Sequence, residues 1–457
     1  MGNNKDFLGT EPVGKLLFKL SVPTVVAQLI NMLYNIVDRI YIGHMPGDGT
    51  LALTGVGVCM PIIMLVSAFA ALVGSGGAPR ASIAMGQKNP SFAEKTMANC
   101  FTLQLVISAV LTAVLLIWSQ PLLMTFGATP ETIDYAVAYL QIYAVGTLFV
   151  QLTLGMNAFI TAQGFTRTSM LSVVIGAASN IILDPIFIFG FHMGVRGAAL
   201  ATVLSQAISC TWVLVFLFGK KTTLKLRTKN MGLKPGIILP CVALGMAAFI
   251  MQGSESVISV CFNTSLRNYG GNTAVGAMTI LTSVMMFAML PLQGLAQGAQ
   301  PITSYNYGAG DAKRVKKSFW LLLWSGFAYS AILWAAIMLF PGGFARIFSP
   351  DPVLIDFTAK ALRIYAGAIF IFGIQMGCQM TFTSLGYAKQ AISAAVVRKF
   401  ILLLPLIYIV PHLVSDPTMG VYMAEPIADF LAVIYTVTIF AFSFKKAMAR
   451  LEKPQLS

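Results

Sequence analysis

The sequence predicts an all-α polytopic membrane protein, with twelve transmembrane helices in two parallel six-helix lobes. Three observations carry this reading. Charged residues make up only 10% of the 457 residues, against about 25% in an ordinary soluble domain. With 57% hydrophobic residues besides 40 Gly, a soluble protein could not clothe its surface. Apolar runs of about 20 residues, long enough to cross a bilayer, recur along the whole chain. Finally, the second half repeats the first with residue numbers 222 apart, as in Gly76 and Gly298.

The runs fall at about 16–42, 51–78, 95–118, 134–161, 168–190, 196–219, 236–265, 273–301, 317–340, 356–384, 391–413 and 418–444. Most loops between them are short, and no soluble domain is inserted. Alternating segments of about ten residues, the mark of an outer-membrane barrel, are absent. Of the 30 Lys and Arg, 22 fall in segments on the side of the two chain ends, Lys5 and Lys453 among them. Three (Arg196, Arg267, Arg346) fall on the other side, and five (Arg39, Lys360, Arg363, Arg398, Lys399) within spans. That asymmetry places both termini in the cytoplasm. It accounts for the net charge of +14 without nucleic acid as a partner. The expected location is a bacterial cytoplasmic membrane.

The repeat pairs Pro79 with Pro301, Gly86 with Gly308, Phe126 with Phe348, Tyr143 with Tyr365, Gly155 with Gly377 and Gly164 with Gly386. It holds without a gap for about 90 residues. Pro23 and Pro240 open the first helix of each half. The expected divisions are an amino-terminal lobe 1–219, a basic cytoplasmic linker 220–235 and a carboxy-terminal lobe 236–457. Each half has an even number of spans, so the repeats are parallel about an axis along the membrane normal. In transporters built this way the substrate site lies between the lobes, and access alternates by rocking.

Several chemistries are not expected. The six Cys sit in apolar runs without a CxxC pair, and three scattered His suit neither haem nor zinc. The amino terminus lacks a cleavable signal pattern, and Asp6 spoils a myristoylation pattern. Gly9 to Lys15 fits the first seven positions of a P-loop, but Leu16 follows instead of Ser or Thr and no strand precedes it. No catalytic cluster is visible, so the chain is not expected to be an enzyme, and no cofactor is expected.

An ionisable residue within a span is costly and marks a functional candidate. Asp38 lies about four residues from the outer end of the first span, and Asp184 about six from that of the fifth. Thr202 lies about six residues into the sixth, which places all three about 6–9 Å below the outer boundary. Asn180 is one turn from Asp184 on the same face. Two carboxylates, an amide and a hydroxyl suit a proton or a hard cation such as Na⁺, and no other metal is expected. Pro185 disturbs the helix and frees the carbonyl of Ile181 beside this group. The plainer alternative for Asp38 is an ion pair with Arg39.

In the second half, Glu255 and Asp429 lie near the midplane, with Glu425 one turn from Asp429. Arg398 and Lys399 are expected to pair with Glu425 and Asp429, while Glu255 has no obvious local partner. Met clusters such as Met285-Met286 could line an adaptable cavity for flat apolar cations.

Taken together, these features resemble multidrug and toxin extrusion (MATE) transporters, and most of all their DinF-type, MepA-like bacterial branch. The residues that carry the resemblance are Leu8 to Leu16 (LGTEPVGKL), Tyr34 to Asp38 (YNIVD), Gln163-Gly164, Asn180 to Pro185, and Ala424 to Asp429 (AEPIAD). The resemblance covers essentially the whole chain. It implies a secondary antiporter that exports small organic compounds, often cationic or amphiphilic, against inward H⁺ or Na⁺. It implies cation coupling at Asp38, Asn180, Asp184 and Thr202, with Tyr34 and Tyr139 beside them. Tyr34, Tyr139, Glu255 and Asp429 are the expected substrate-cavity residues, and Pro23 and Pro185 the expected kinks. Glu255 matches an acid of NorM-type members in the seventh helix. Their tenth-helix acid has no counterpart, because that stretch reads Ile374-Gln375-Met376. Membrane lipid is the expected surrounding, and a monomer the expected state. A lipid-linked oligosaccharide flippase of the same wider superfamily is the alternative. A major-facilitator exporter would carry a signature after the second helix that Gly77 to Gly86 lacks.

Overall fold

The computed structural model describes residues 6–45 and 49–452, so Lys5 and Lys453 lie outside the described residues. Among the described residues there is no strand. The first six spans are α1 (Val13–Gly43), α2 (Gly49–Gly86), α3 (Pro90–Ile117), α4 (Ile133–Ala162), α5 (Thr166–Pro185) and α6 (Val195–Phe218). A π turn, Ile186–Gly190, continues α5.

The next helical stretch, Pro235–Gly308, is 74 residues long. At 1.5 Å per residue it would measure about 110 Å, several times the hydrocarbon thickness of about 30 Å. It cannot be one span. Gly271 breaks it, with φ 63° and ψ −155°, a conformation that glycine adopts without a side-chain clash. The pieces are α7 (235–270) and α8 (272–308). Then come α9 (Ala312–Leu339) and α10, which is two helices, Pro352–Tyr365 and Ile369–Ser384, bent by 47°. The sequence run 356–384 reads as one span; the break falls at Ala366–Ala368 around Gly367. The eleventh span, α11, joins Ala388–Val396 and Leu404–Ile409 through a π segment, Val397–Leu403. The last is α12 (Pro417–Glu452).

The twofold repeat reaches local detail. Asn89 and Asp311 are 222 residues apart. Each accepts a backbone hydrogen bond that caps the third helix of its half, from Phe92 N at 3.1 Å and from Arg314 N at 2.9 Å. Gly164 (φ 84°) and Gly386 (φ 78°) end the fourth helix of each half in the left-handed conformation that closes helices.

The first and last described residues, Asp6 and Glu452, and the loops before α3, α5, α7, α9 and α11 share one face, called the terminal face below; the opposite face is the far face. In the terminal half one hydrophobic core runs through both lobes, from Leu16, Leu20 and Met97 to Cys241, Ala296 and Ile302, with a smaller cluster of Val315, Leu385 and Met448 beside it in the second lobe. In the far half the core divides. One cluster holds Ile42, Val56, Leu140 and Ile188, the other Ile258, Phe262, Leu281 and Ile407. The hydrogen bonds that join α1 and α2 to α8 lie in the terminal half. They run from Ser21 Oγ to the Leu295 carbonyl at 3.3 Å, from Thr24 Oγ1 to the Gly294 carbonyl at 2.6 Å and from Ser82 Oγ to the Pro301 carbonyl at 3.4 Å, with Gln28 Nε2 to Gln297 Oε1 at 3.2 Å nearest the middle of α1. The lobes are therefore sealed on the terminal side and part toward the far side.

Symmetry-matched glycines make this seal. A methyl group on Gly86 would lie 2.0 Å from the Tyr305 carbonyl oxygen. One on its repeat mate Gly308 would lie 2.0 Å from the Ile83 carbonyl oxygen. Ile83 and Tyr305 are themselves 222 apart, so one backbone contact is made twice about the pseudo-twofold axis. The segment 222–234 is not a loose tether. Gln163 Oε1 accepts from Thr222 Oγ1 (2.8 Å), Thr223 N (2.9 Å) and Leu224 N (2.8 Å). Glu94 accepts from Lys225 N at 3.2 Å, and Asn99 Oδ1 from Lys234 N at 2.8 Å. This segment folds back onto the first lobe.

Candidate functional site

Four helices of the first lobe build one polar site near the far face. Asp38 comes from α1, Asn180 and Asp184 from α5, Tyr139 from α4 and Thr202 from α6. Asp38 is five residues from the end of α1, Asp184 six from the end of the π turn, and Thr202 seven from the start of α6. The three therefore lie at similar depth, about 8–10 Å from the helix ends. Asp38 is 6% exposed, Asn180 1% and Asp184 0%.

The two carboxyl groups lie within hydrogen-bonding reach of each other. Asn180 Nδ2 donates to Asp184 Oδ1 at 3.3 Å. Tyr139 and Thr202 share a hydrogen bond, and Tyr139 stacks on Tyr143 with centroids 6.4 Å apart. Tyr34 is half-buried beside both acids. Three oxygens remain without any donor: Asp38 Oδ1, Asn180 Oδ1 and Asp184 Oδ2. Buried acceptors left unpaired are rare and expensive. Two touching carboxylates in a dry site also repel each other. One bound cation answers both problems, and the oxygen-only donor set fits a proton or Na⁺. Arg39 is exposed and forms no ion pair with Asp38 among the described residues.

Pro23 and Pro185 hold different places. Pro23 is buried in α1 where the lobes meet, and the adjacent Thr24 hydroxyl reaches the Leu20 and Ser21 carbonyls besides Gly294. Pro185 ends the regular part of α5, and the π turn follows at once. Such π turns recur at functional sites.

The second lobe also gathers charge, but pairs it. Arg398 Nε donates to Asp429 Oδ1 at 2.7 Å, and Arg398 Nη2 to Glu425 Oε1 at 3.2 Å. Its guanidinium lies 4.8 Å from the centroid of Phe372. Lys399 Nζ donates to Glu255 Oε1 at 2.5 Å. Glu255, without an obvious partner in the sequence, thus has one from 144 residues away. The π segment of α11 carries both cations. Asp429 is 7% exposed and held by Arg398, whereas the Glu255 side chain is 53% exposed.

Sequence reasoning missed Tyr365, which stands beside Glu255, Glu425 and Asp429. Its repeat pairing with Tyr143 was the available signal, since Tyr143 stands beside the acid site of its own lobe. It also missed Gln375. The position is notable for its missing carboxylate, yet both amide atoms are buried and unpartnered.

A twelve-span, two-lobe bundle with a buried polar site within one lobe is the build of a secondary transporter, not of an enzyme. The chain belongs to the MatE family, which matches residues 23–186 and 247–409, once in each half. It is 24% identical over 429 residues to the multidrug export protein MepA of Staphylococcus haemolyticus, with 93% of each chain covered. Among solved structures, it is 34% identical to the MATE multidrug transporter DinF-BH, determined in complex with a small-molecule ligand. That alignment has TM-score 0.88 and covers 95% of this chain and 96% of that one. A MATE structure in the bent conformation superposes with TM-score 0.92 at 22% identity, over 99% of this chain and 100% of that one. The protein is thus a multi-pass membrane transporter of the MATE family, and these matches do not favour the flippase alternative.

Proposed function

We propose that the protein is a multidrug efflux antiporter of the bacterial plasma membrane. It exports small organic cations and amphiphiles in exchange for inward H⁺ or Na⁺. The observation that carries this reading is the set of three buried oxygens without donors on Asp38, Asn180 and Asp184. The names of the relatives support the substrate class: MepA is a multidrug export protein, and DinF-BH is a multidrug transporter solved with a small molecule bound. The excess of Lys and Arg on the terminal face supports a cytoplasmic location for both termini. The far face is then extracellular, and the lobes stand open to the outside.

In this state the external cation reaches Asp38 and Asp184, with Asn180 and Thr202 as further oxygen donors. Binding removes the repulsion between the carboxylates and changes how α1 packs against α5. Pro23 lies where α1 leaves the seal, so a bend there carries the change to the lobe interface. Substrate is released outward because its positive charge no longer meets free carboxylates. A ligand shifts a two-state equilibrium only by its differential affinity for the two states, and here both ligands draw on the same pair of acids. Tyr34 and the half-exposed Glu255 face the substrate, with Tyr139 and Asp429 behind them. The protein works as a monomer.

Ethidium efflux from energised cells tests this, comparing wild type with Asp184→Asn at equal expression, with and without Na⁺. Loss of efflux in the variant supports the coupling site, and the Na⁺ dependence identifies the ion. A wild type that exports no organic cation sinks the multidrug reading. An Asp184→Asn protein as active as wild type moves the coupling elsewhere.

A further inference from the structure

We propose that Cys100 and Cys241 form a cross-lobe disulfide site which, when oxidised by a peroxide, staples the two lobes together on the terminal side and arrests transport. Cys100 is on α3 of the first lobe and Cys241 near the start of α7 in the second. Both are free, 0% exposed and part of the core that seals the terminal half. The two thiols touch, within hydrogen-bonding reach of each other.

Two consecutive glycines of α2 make the approach possible. A methyl group on Gly76 would lie 1.9 Å from the Cys241 carbonyl oxygen, and one on Gly77 would lie 2.6 Å from Cys100 Sγ. Any larger residue at either position would wedge one of the cysteines away. Arg80, one turn further along α2, contacts Cys241 and leaves its own Nε unpartnered.

The chemistry balances with a peroxide as oxidant. One sulfur attacks a peroxide oxygen, the O–O bond breaks, and the first water leaves with one thiol proton. The resulting sulfenic acid is attacked by the second sulfur, the S–O bond breaks, and the second water leaves with the other thiol proton. Two thiols and one H₂O₂ give one disulfide and two H₂O, and the sulfurs supply both electrons. Alternating access requires α3 and α7 to part on the terminal side. The new bond forbids that and holds the seal closed until a reductant breaks it.

The test inserts a protease site after Lys229, in the exposed stretch 227–229 of the segment between the lobes. Membranes are treated with H₂O₂, quenched with N-ethylmaleimide, cut, and run on a gel without reductant. The expected result is one band at the mass of the whole 49.0 kDa chain that splits into two halves with dithiothreitol. Ethidium efflux is expected to be lost on oxidation and to return on reduction. Cys241→Ala should remain cleavable into halves and keep its efflux in peroxide; Cys100→Ala serves the same purpose where the first variant folds poorly. Oxidised wild type that separates into halves overturns the proposal, as does a Cys→Ala variant that peroxide inhibits to the wild-type extent. The gel does not depend on which acid couples transport, so its result stands apart from the fate of the antiport reading.

Discussion

The two lobes share one architecture but treat charge in opposite ways. In the first, the fifth helix carries Asn180 and Asp184 toward Asp38, and no cation pairs with either acid among the described residues. In the second, the fifth helix, α11, carries Arg398 and Lys399 to Asp429, Glu425 and Glu255. Both fifth helices contain a π segment next to these residues. The local geometry that presents ionisable side chains is thus common to both, while the side chains differ. One lobe leaves its buried acids without a paired cation among the described residues. The other holds its own. Under the proposed function, a duplicated fold divides binding a mobile cation from holding a rigid frame.

The largest effect expected from this contrast is on transport. Asp184→Asn should lower coupled ethidium efflux by roughly tenfold or more, a barrier change above about 1.4 kcal/mol. Glu255→Gln should lower it less. Equal losses would erase the distinction between the lobes.

The next effect is on stability. Arg398→Met leaves Asp429 and Glu425 buried without a cation, which costs about 3–5 kcal/mol for a broken buried pair. Asp184→Asn should leave stability unchanged or raised, because it removes a repulsion. Thermal unfolding in detergent separates the two, and a stable Arg398→Met protein would show that the second-lobe cluster is not structural.

Smaller effects test where the lobes are alike. Gly86→Ala and Gly308→Ala each force a methyl against a backbone carbonyl. Each should destabilise the terminal-side seal by about 1–3 kcal/mol, to a similar degree. Distance measurements between spin labels on the two lobes would read the shift toward a terminal-open state, and a markedly lopsided pair would contradict the symmetry of the contact. Gln163→Leu strands two backbone donors, Thr223 N and Leu224 N, while the Thr222 hydroxyl keeps the Leu224 carbonyl, at about 1–3 kcal/mol. Amide exchange of Thr223 and Leu224 should rise, with α11 of the other lobe unaffected.

The twelve spans were legible because a bilayer demands apolar runs of fixed length. Asp38 and Asp184 were legible because a carboxylate in such a run stands out and its depth follows from its distance to the helix end. The repeat was legible too, but not its meaning. Gly86 and Gly308 were a matched pair without any sign that each touches the other lobe. The Lys399–Glu255 pair was hidden because its members are 144 residues apart and share no pattern. The same holds for Gln163, which reads as an ordinary polar residue after a helix until its three donors fold back on it. Breaks within a span, as at Gly367, do not interrupt the hydropathy that marks the span.

Binding of the mobile cation in the first lobe alone is tested most directly by the ethidium affinity of purified protein as a function of pH and of Na⁺ concentration. Coupling between two ligands is reciprocal, so a shared site makes each weaken the other's binding. Wild type and Glu255→Gln should show this dependence, and Asp184→Asn should bind ethidium with an affinity insensitive to both ions. A dependence that survives in Asp184→Asn and vanishes in Glu255→Gln would contradict a first-lobe site and place the coupling in the second lobe.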